Sequence, residues 1–277
     1  MHIRRLLLLL ILLGPLSCAH AGERLLRVSF LDIGQGDSIY IQAPNGRQMI
    51  IDGGPKSNLM SALSKVMPFG DRSIDVLMVT NPDADHYSGF IDLIRDFDVG
   101  AVVESGTRTN TPTYATLQKG IAEHSVPHLL ARKGMKIVLD KEDGVEFDVL
   151  FPDLDVSGWS RNDGSIMGVL IYGKTKIFFT GDGTTTTENA VMLRTEKEIL
   201  ESDILKVGHH GSRTSTSDAF VKAVAAQWAV ISDGKGNTYG HPHKETLDTL
   251  ARNGVDILRT DQLGTITFIS NGSNWQK

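Results

Sequence analysis

Apolar and polar residues alternate along most of the chain in short runs, the signature of half-buried strands. Residues 25–33 (Leu-Leu-Arg-Val-Ser-Phe-Leu-Asp-Ile) and 38–42 predict two strands. Met49-Ile50-Ile51 predicts a third, and the preceding Asn45-Gly46 is a hairpin signal. Residues 76–79 (Val-Leu-Met-Val) read as a buried strand, and further strands are expected at 100–104, 136–139 and 145–151. A hairpin is expected from 166–172 and 175–180 around Gly173-Lys174, followed by strands at 203–207, 228–232, 256–258 and 265–269. Helical periodicity falls at 58–67, 86–97, 114–124 with Pro112 near its start, 188–197 and 244–252. Another helix opens at Ser215-Thr216-Ser217-Asp218, which reads as a capping box, and runs to 226. Strands and helices mix in both halves with no Pro-, Gly- or Ser-rich linker. The pattern predicts one layered α/β domain with sheets inside and helices outside.

Polar clusters follow the apolar runs at their ends. Asp52-Gly53-Gly54, Asp83/Asp85/His86, Thr180-Gly181-Asp182-Gly183 and Gly208-His209-His210-Gly211-Ser212 each sit where a side chain reaches the rim of a sheet. Gly240-His241-Pro242-His243 opens a helix. Taken singly, Asp52 is a turn aspartate, Asp182 a cap, His209-His210 a polar loop, and His241 and His243 helix-start residues. Taken together, four strand-end clusters of Asp and His are accounted for by one metal site. Crowded carboxylates repel unless something positive lies between them. His124 and His128 lie apart from the clusters and read as structural or surface residues.

The N-terminus changes the picture of where the chain works. Arg4-Arg5 precede eight unbroken apolar residues, 6–13, then Gly14-Pro15 and Ala19-His20-Ala21. That run is too short to span a bilayer and fits an exported leader, 1–21, leaving 22–277 as one domain with no transmembrane segment. The expected location is periplasmic or secreted. Pro15-Leu16-Ser17-Cys18 offers the alternative of a lipoprotein anchored through Cys18, the sole cysteine. Cleavage after Ala21 removes that cysteine, and with it disulfide and thiolate chemistry. It also removes Arg4 and Arg5 and no acid, so the remaining chain is more acidic than the formal −5. A large passive nucleic-acid-coating surface is disfavoured by that charge, and 22% charged residues with 40% apolar content argue against long disorder.

In their order and spacing, Asp32-Ile33-Gly34-Gln35-Gly36-Asp37-Ser38, Ile51-Asp52-Gly53-Gly54, Asn81-Pro82-Asp83-Ala84-Asp85-His86, Phe178-Phe179-Thr180-Gly181-Asp182, Leu205-Lys206-Val207-Gly208-His209-His210-Gly211-Ser212 and Tyr239-Gly240-His241-Pro242-His243 span almost all of 22–277. This set resembles the metallo-β-lactamase fold, and within it the ComEC-like branch, the hydrolase domain attached to the competence DNA-uptake channel. The resemblance implies a four-layer αββα sandwich and metal-dependent hydrolysis, with a phosphodiester or nucleic acid as a transiently bound substrate. It implies Asp85, His86 and Asp182 as metal ligands, completed by His209 and His241. Asp83 would bind a weaker second ion or orient the attacking water. Lys206, His210, Ser212 and His243 would contact the phosphate or protonate the leaving group.

The chain departs from the fold's His-x-His-x-Asp-His pattern at Asn81 and Asp83. Asp83 is expected in the ComEC-like branch, whereas Asn81 is not. The strand-entry histidine of the wider fold is also missing, with Asn162 or Asp163 near its place. Oxygen and amide ligands are harder than imidazole and move preference from Zn²⁺ towards Mn²⁺, leaving both ions, in one or two copies, as candidates. Two rival readings are a hydrolase of small esters or amides, and a binding protein that kept the fold without turnover.

Overall fold

A computed structural model describes residues 24–56 and 58–277; the leader and Cys18 lie outside the described residues. Strands β1 (Leu26–Phe30), β2 (Ile39–Gln42), β3 (Gln48–Ile51), β4 (Ser73–Val79), β5 (Asp98–Glu104) and β6 (His128–Leu130) are neighbours in that order in a first sheet. A second sheet holds β7 (Lys136–Asp140), β8 (Val145–Phe151), β9 (Met167–Tyr172), β10 (Thr175–Phe179), β11 (Ile204–Lys206), β12 (Trp228–Ile231) and β13 (Asp256–Arg259). The chain then returns to the first sheet, where β14 (Ile266–Ser270) pairs antiparallel with β1 and β15 (Trp275–Gln276) with β14.

Period-2 alternation sets the layers. Ile177 and Phe179 of β10 face the opposite sheet, and Phe178 between them faces the outer helices. Ile39 and Ile41 of β2 face inwards in the same way, with Tyr40 turned out. Phe30 stacks on Phe179 at 6.2 Å and meets Phe268 edge-on at 6.2 Å, tying the two sheets together. Each such fully buried aromatic contributes about 1.5–3 kcal/mol. One outer face is covered by α1 (Leu59–Leu63), α2 (Ala84–Tyr87), α3 (Phe90–Asp96) and α4 (Pro112–Glu123). The other is covered by α5 (Thr185–Arg194), α6 (Lys197–Leu200), α7 (Asp218–Val224) and α8 (Lys244–Arg252), and a last short helix, α9 (Thr260–Leu263), follows β13. Three apolar layers between four structural ones make the αββα sandwich. Among the described residues no helix is long and apolar enough to cross a membrane.

The structure differs from the periodicity at several helix ends. The helix expected at 86–97 is two, α2 and α3, broken at Ser88-Gly89. A Cβ on Gly89 would lie 2.1 Å from the Gly53 carbonyl oxygen, so the loop after β3 packs directly on this break. The expected helix at 58–67 is helical only over Leu59–Leu63. The cap of α7 is Ser217, whose Oγ accepts from the Phe220 N–H at 3.3 Å. Ser215 instead turns inwards and donates to the Gly208 carbonyl at 2.8 Å. Helix α5 runs three residues ahead of expectation because the Thr184 hydroxyl accepts from Thr186 N–H and starts it there. Strand β6 was not anticipated, being three residues without alternation.

That edge strand carries His128, whose imidazole bonds the buried Glu104 carboxylate, itself held by Tyr114 Oη at 2.8 Å and Gln118 Nε2 at 2.9 Å. The bond to Glu104 raises the His128 pKa, against a smaller opposing effect of burial. A raised folded-state value means that the contribution is fully present below the unfolded value of about 6.5 and is lost as pH rises through the folded one. Urea midpoints of wild type and His128→Gln should therefore differ most in acid and converge as pH rises above that window. A difference that grows with pH would refute this assignment.

Candidate metal centre

Strands β3 and β4 are parallel, as are β10, β11 and β12, so their carboxyl ends open on one rim. At that rim lie Asp52 after β3, residues 81–86 after β4, Asp182 after β10, His209-His210 after β11 and Ser232 after β12. Ligands of open α/β sheets collect at such carboxyl ends. Helix α2 begins beyond Asp83, which places Asp85 and His86 in a single turn facing the rim.

His86 is buried and oriented from behind. Its Nδ1 lies 2.8 Å from Asp52 Oδ2, and the same carboxylate accepts from Thr80 N–H at 2.8 Å and Thr80 Oγ1 at 2.6 Å. A carboxylate that accepts from Nδ1 fixes the ring and turns Nε2 towards Asp182 Oδ2, 3.0 Å away. His210 repeats this logic. Its Nδ1 is 3.0 Å from the Ser232 carbonyl, which can only accept, so its Nε2 is turned to Asp85 Oδ2 at 3.3 Å and Asp182 Oδ2 at 3.6 Å.

Both Nε2 atoms and Asp182 Oδ1 are buried with no hydrogen-bond partner among the described residues. The 3.0 Å approach of His86 Nε2 to Asp182 Oδ2 is thus an ion-pair contact without hydrogen-bond alignment. Donor atoms of Asp85, His86 and His210 all lie within 4.8 Å of one another, as do those of Asp37, His86 and Asp182. Converging lone pairs on imidazole and carboxylate fit a divalent cation. The two groups share His86.

The electrostatics agree. Burial pulls the His86 imidazole down, yet Asp182 and Asp52 hold it well above its ordinary value. Burial likewise opposes His210, which Asp182 and Asp37 push up to about 10. Burial raises the Asp182 carboxyl, and His86 and His210 more than reverse this, holding it well below the usual carboxylate range. The cleft draws positive charge wherever it can be found. His241 stands at its mouth, depressed to about 4 by burial and by His210 and His209.

His209 and His210 both adopt left-handed backbone, φ 48° and 53°, as does Asp52 at 59°. Such conformations are costly for residues with a Cβ and mark places where surrounding structure imposes them. The two consecutive turns split the histidines. His210 points inwards to the donor group, while His209 stays at the cleft wall, its Nε2 4.0 Å from Asp182 Oδ2 and its Nδ1 3.1 Å from Thr214 Oγ1. His210, expected to touch substrate, is thus among the converging donors, and His209 is at their margin. The His241 ring lies 5.6 Å from that of His209 and 6.2 Å from that of His210, lining the same cleft of about 320 Å³ with Asp83, Asp85 and Asp182.

Other expected residues are placed differently. Asp83 belongs to neither donor group, because its carboxylate pairs with Arg161. Asn81 Oδ1 accepts from the Asp83 N–H at 2.9 Å and shapes the turn. Asn162 Nδ2 approaches His209 Nε2 at 3.5 Å. Asp163 is turned away, its carboxylate bonding the Ser160 and Thr184 hydroxyls. Lys206 does not reach the cleft: it is 1% exposed and its ammonium is bound by Asp37 Oδ2. Ser212 is buried with its hydroxyl on Thr214 Oγ1 at 3.0 Å, and His243 Nδ1 accepts from the Arg213 N–H at 3.2 Å. The residue with no assigned role in the sequence reading is Asp37. Besides holding Lys206, its Oδ1 lies 3.3 Å from His210 Nδ1. The signal was the flanking Gly36: at φ 129°, a Cβ there would lie 2.4 Å from the Asp85 carbonyl oxygen, so this loop abuts the metal-site turn.

Comparison with known proteins agrees with this geometry. ComE operon protein 3 of Bacillus subtilis (strain 168) is 33% identical over 258 residues, 87% of this chain and 32% of that protein. Competence protein ComA of Neisseria gonorrhoeae is 29% identical over 245 residues, 87% of this chain and 32% of its own length. The chain thus spans about a third of the length of these relatives. Among solved structures, the metallo-β-lactamase fold protein YhfI from Bacillus subtilis superposes with a TM-score of 0.59 at 9% identity, over 88% of this chain and all of that one. A diphosphatase from the PhnP family superposes with a TM-score of 0.51 at 16% identity, over 88% and 97%. The family model of the metallo-beta-lactamase superfamily matches residues 31–232, which cover most of both sheets and the whole rim from Asp52 to Ser232. The chain belongs to the metallo-β-lactamase superfamily, with its homologues among the ComEC-type competence proteins.

Proposed function

We propose that this protein is a metal-dependent hydrolase of phosphodiesters that acts on nucleic acid outside the cytoplasm, using Mn²⁺ or Zn²⁺. The observation that carries the reading is the convergence of His86 Nε2 and His210 Nε2, buried and unbonded, on Asp182 Oδ2 beside Asp85. These four residues would hold the ion, with Asp52 and the Ser232 carbonyl fixing the two imidazoles behind them. A divalent ion there supplies a Lewis acid for a phosphoryl oxygen and lowers the pKa of a bound water towards neutrality.

The chain's own groups do the rest. Asp83 lines the cleft beside Asp85 and is the carboxylate placed to orient an attacking water. His209 and His241, each carrying one ring donor and one ring acceptor when neutral, face the space a phosphate would occupy. Relatives named for competence and for recombination support a nucleic-acid substrate, and the diphosphatase shows that the fold accommodates phosphorus chemistry. The location rests on the N-terminal pattern alone.

The test is metal content together with activity. Purified protein supplied with Mn²⁺ or Zn²⁺ should retain the ion and cleave bis-(p-nitrophenyl) phosphate and single-stranded DNA, and lose both properties in EDTA. Cleavage of a cephalosporin with phosphodiesters untouched would replace the reading with amide hydrolysis. Absence of metal uptake would leave a binding protein.

A further inference from the structure

We infer that an arginine-lined groove leading away from the metal cleft holds the backbone of a single-stranded polynucleotide, with Arg108 as its phosphate contact and Trp159 as its stacking platform. The inference rests on the phosphodiester reading for the identity of the scissile group.

Three depressions follow one another across this face. The metal cleft shares Asp83 with a groove of about 390 Å³ that includes Arg108, Trp159 and Arg161. That groove shares Arg108 with a further one of about 440 Å³ that includes Arg132 and Tyr114. A path thus runs from the donor group past Asp83 to Arg161, Arg108 and Arg132 in turn.

The charges along it are unevenly used. Arg161 is committed to Asp83, so that pair is neutral. Glu104 is answered by His128. Arg132 donates only to the carbonyls of Ser105 at 3.1 Å and Ala131 at 2.6 Å, so its charge has no acid within ion-pair distance among the described residues. Arg108 is exposed and, among the described residues, makes no hydrogen bond or ion pair. Asp155 is the one acid of the groove left to oppose these two cations. In a chain with formal charge −5, two guanidinium groups set against one aspartate leave this groove with an excess cation. Guanidinium groups suit phosphate oxygens in particular.

Trp159 supplies the second kind of contact. It is part-buried, its ring is anchored 5.8 Å from that of the buried Phe151, and it lines the groove. An anchored aromatic beside a cationic groove is the arrangement that holds single strands without sequence preference, because every unpaired base has a face to stack. A duplex keeps its bases stacked and cannot use the indole.

Titration of a fluorescein-labelled single-stranded oligothymidylate with metal-free protein, followed by anisotropy over a range of salt, tests this without turnover. Arg108→Ala should weaken binding and reduce the slope of log K against log salt by about 0.7, the share of one phosphate contact on a single strand. Arg108→Lys should restore the slope. Trp159→Ala should weaken binding roughly tenfold with the slope unchanged, and Trp159→Phe should recover most of it. A duplex of matched length should bind more weakly and be insensitive to Trp159→Ala. Unchanged affinity and slope in Arg108→Ala, or equal binding of the duplex, overturns the groove even where bis-(p-nitrophenyl) phosphate is hydrolysed. The expected slopes with no hydrolysis of any phosphodiester uphold the groove and remove the catalytic reading.

Discussion

Replacing Asp182 with alanine will strip the protein of its divalent ion and lower phosphodiester hydrolysis by more than about 10²-fold. Outer partners of metal ligands cost about 10–100-fold when removed, and a ligand at the hub costs more. Asp182 is that hub: one of its oxygens lies 3.0 Å from His86, 3.6 Å from His210 and 4.0 Å from His209. No other carboxylate reaches all three imidazoles at these distances among the described residues. Asp52→Ala touches only the rear of His86, so it should fall within the milder range while still binding the ion. Elemental analysis of both variants beside wild type, with kinetics on the same samples, separates the two effects. Full metal content in Asp182→Ala would show that the donors are held for another purpose.

Lys206→Met should lower the unfolding free energy by about 3–5 kcal/mol, the cost of leaving a buried charge without its partner. Lys206 and Asp37 are each at most 1% exposed, and the ammonium sits on Asp37 Oδ2. Asp37→Asn combined with Lys206→Met removes both charges and should regain much of the loss, because the penalty lies in the orphan rather than in the missing attraction. Urea denaturation of the single and double variants measures it. A single variant that unfolds at the wild-type midpoint but has lost turnover would move Lys206 back to the substrate, where the motif alone had put it.

That misplacement shows what a linear motif withholds. Lys206, Val207, Gly208 and His209 are consecutive, so a reading along the chain gives them one neighbourhood. In the sheet, Lys206 is the last residue of β11 and points between layers, whereas the histidines lie beyond the strand end on left-handed backbone. Alternation could have warned of this, because Leu205 and Lys206 face opposite sides. Asp85, His86 and Asp182 were legible because each follows an apolar run that could only be a buried strand. Which of His209 and His210 points inwards was not legible, since φ values of 48° and 53° have no signature in a His-His pair. The layered α/β order followed from alternation and the four-layer sandwich from the family resemblance, and helix ends were missed where a contact outside the helix decides them, as Gly53 does for the break at Gly89.

The donor set straddles the two sheets: Asp85 and His86 follow a strand of the first, Asp182 and His210 strands of the second. Before the sheets dock, the chain offers an ion two scattered pairs of side chains and no shared focus. An ion held there would span the interface that Phe30 and Phe179 close, so its retention would report that the two sheets have docked in register.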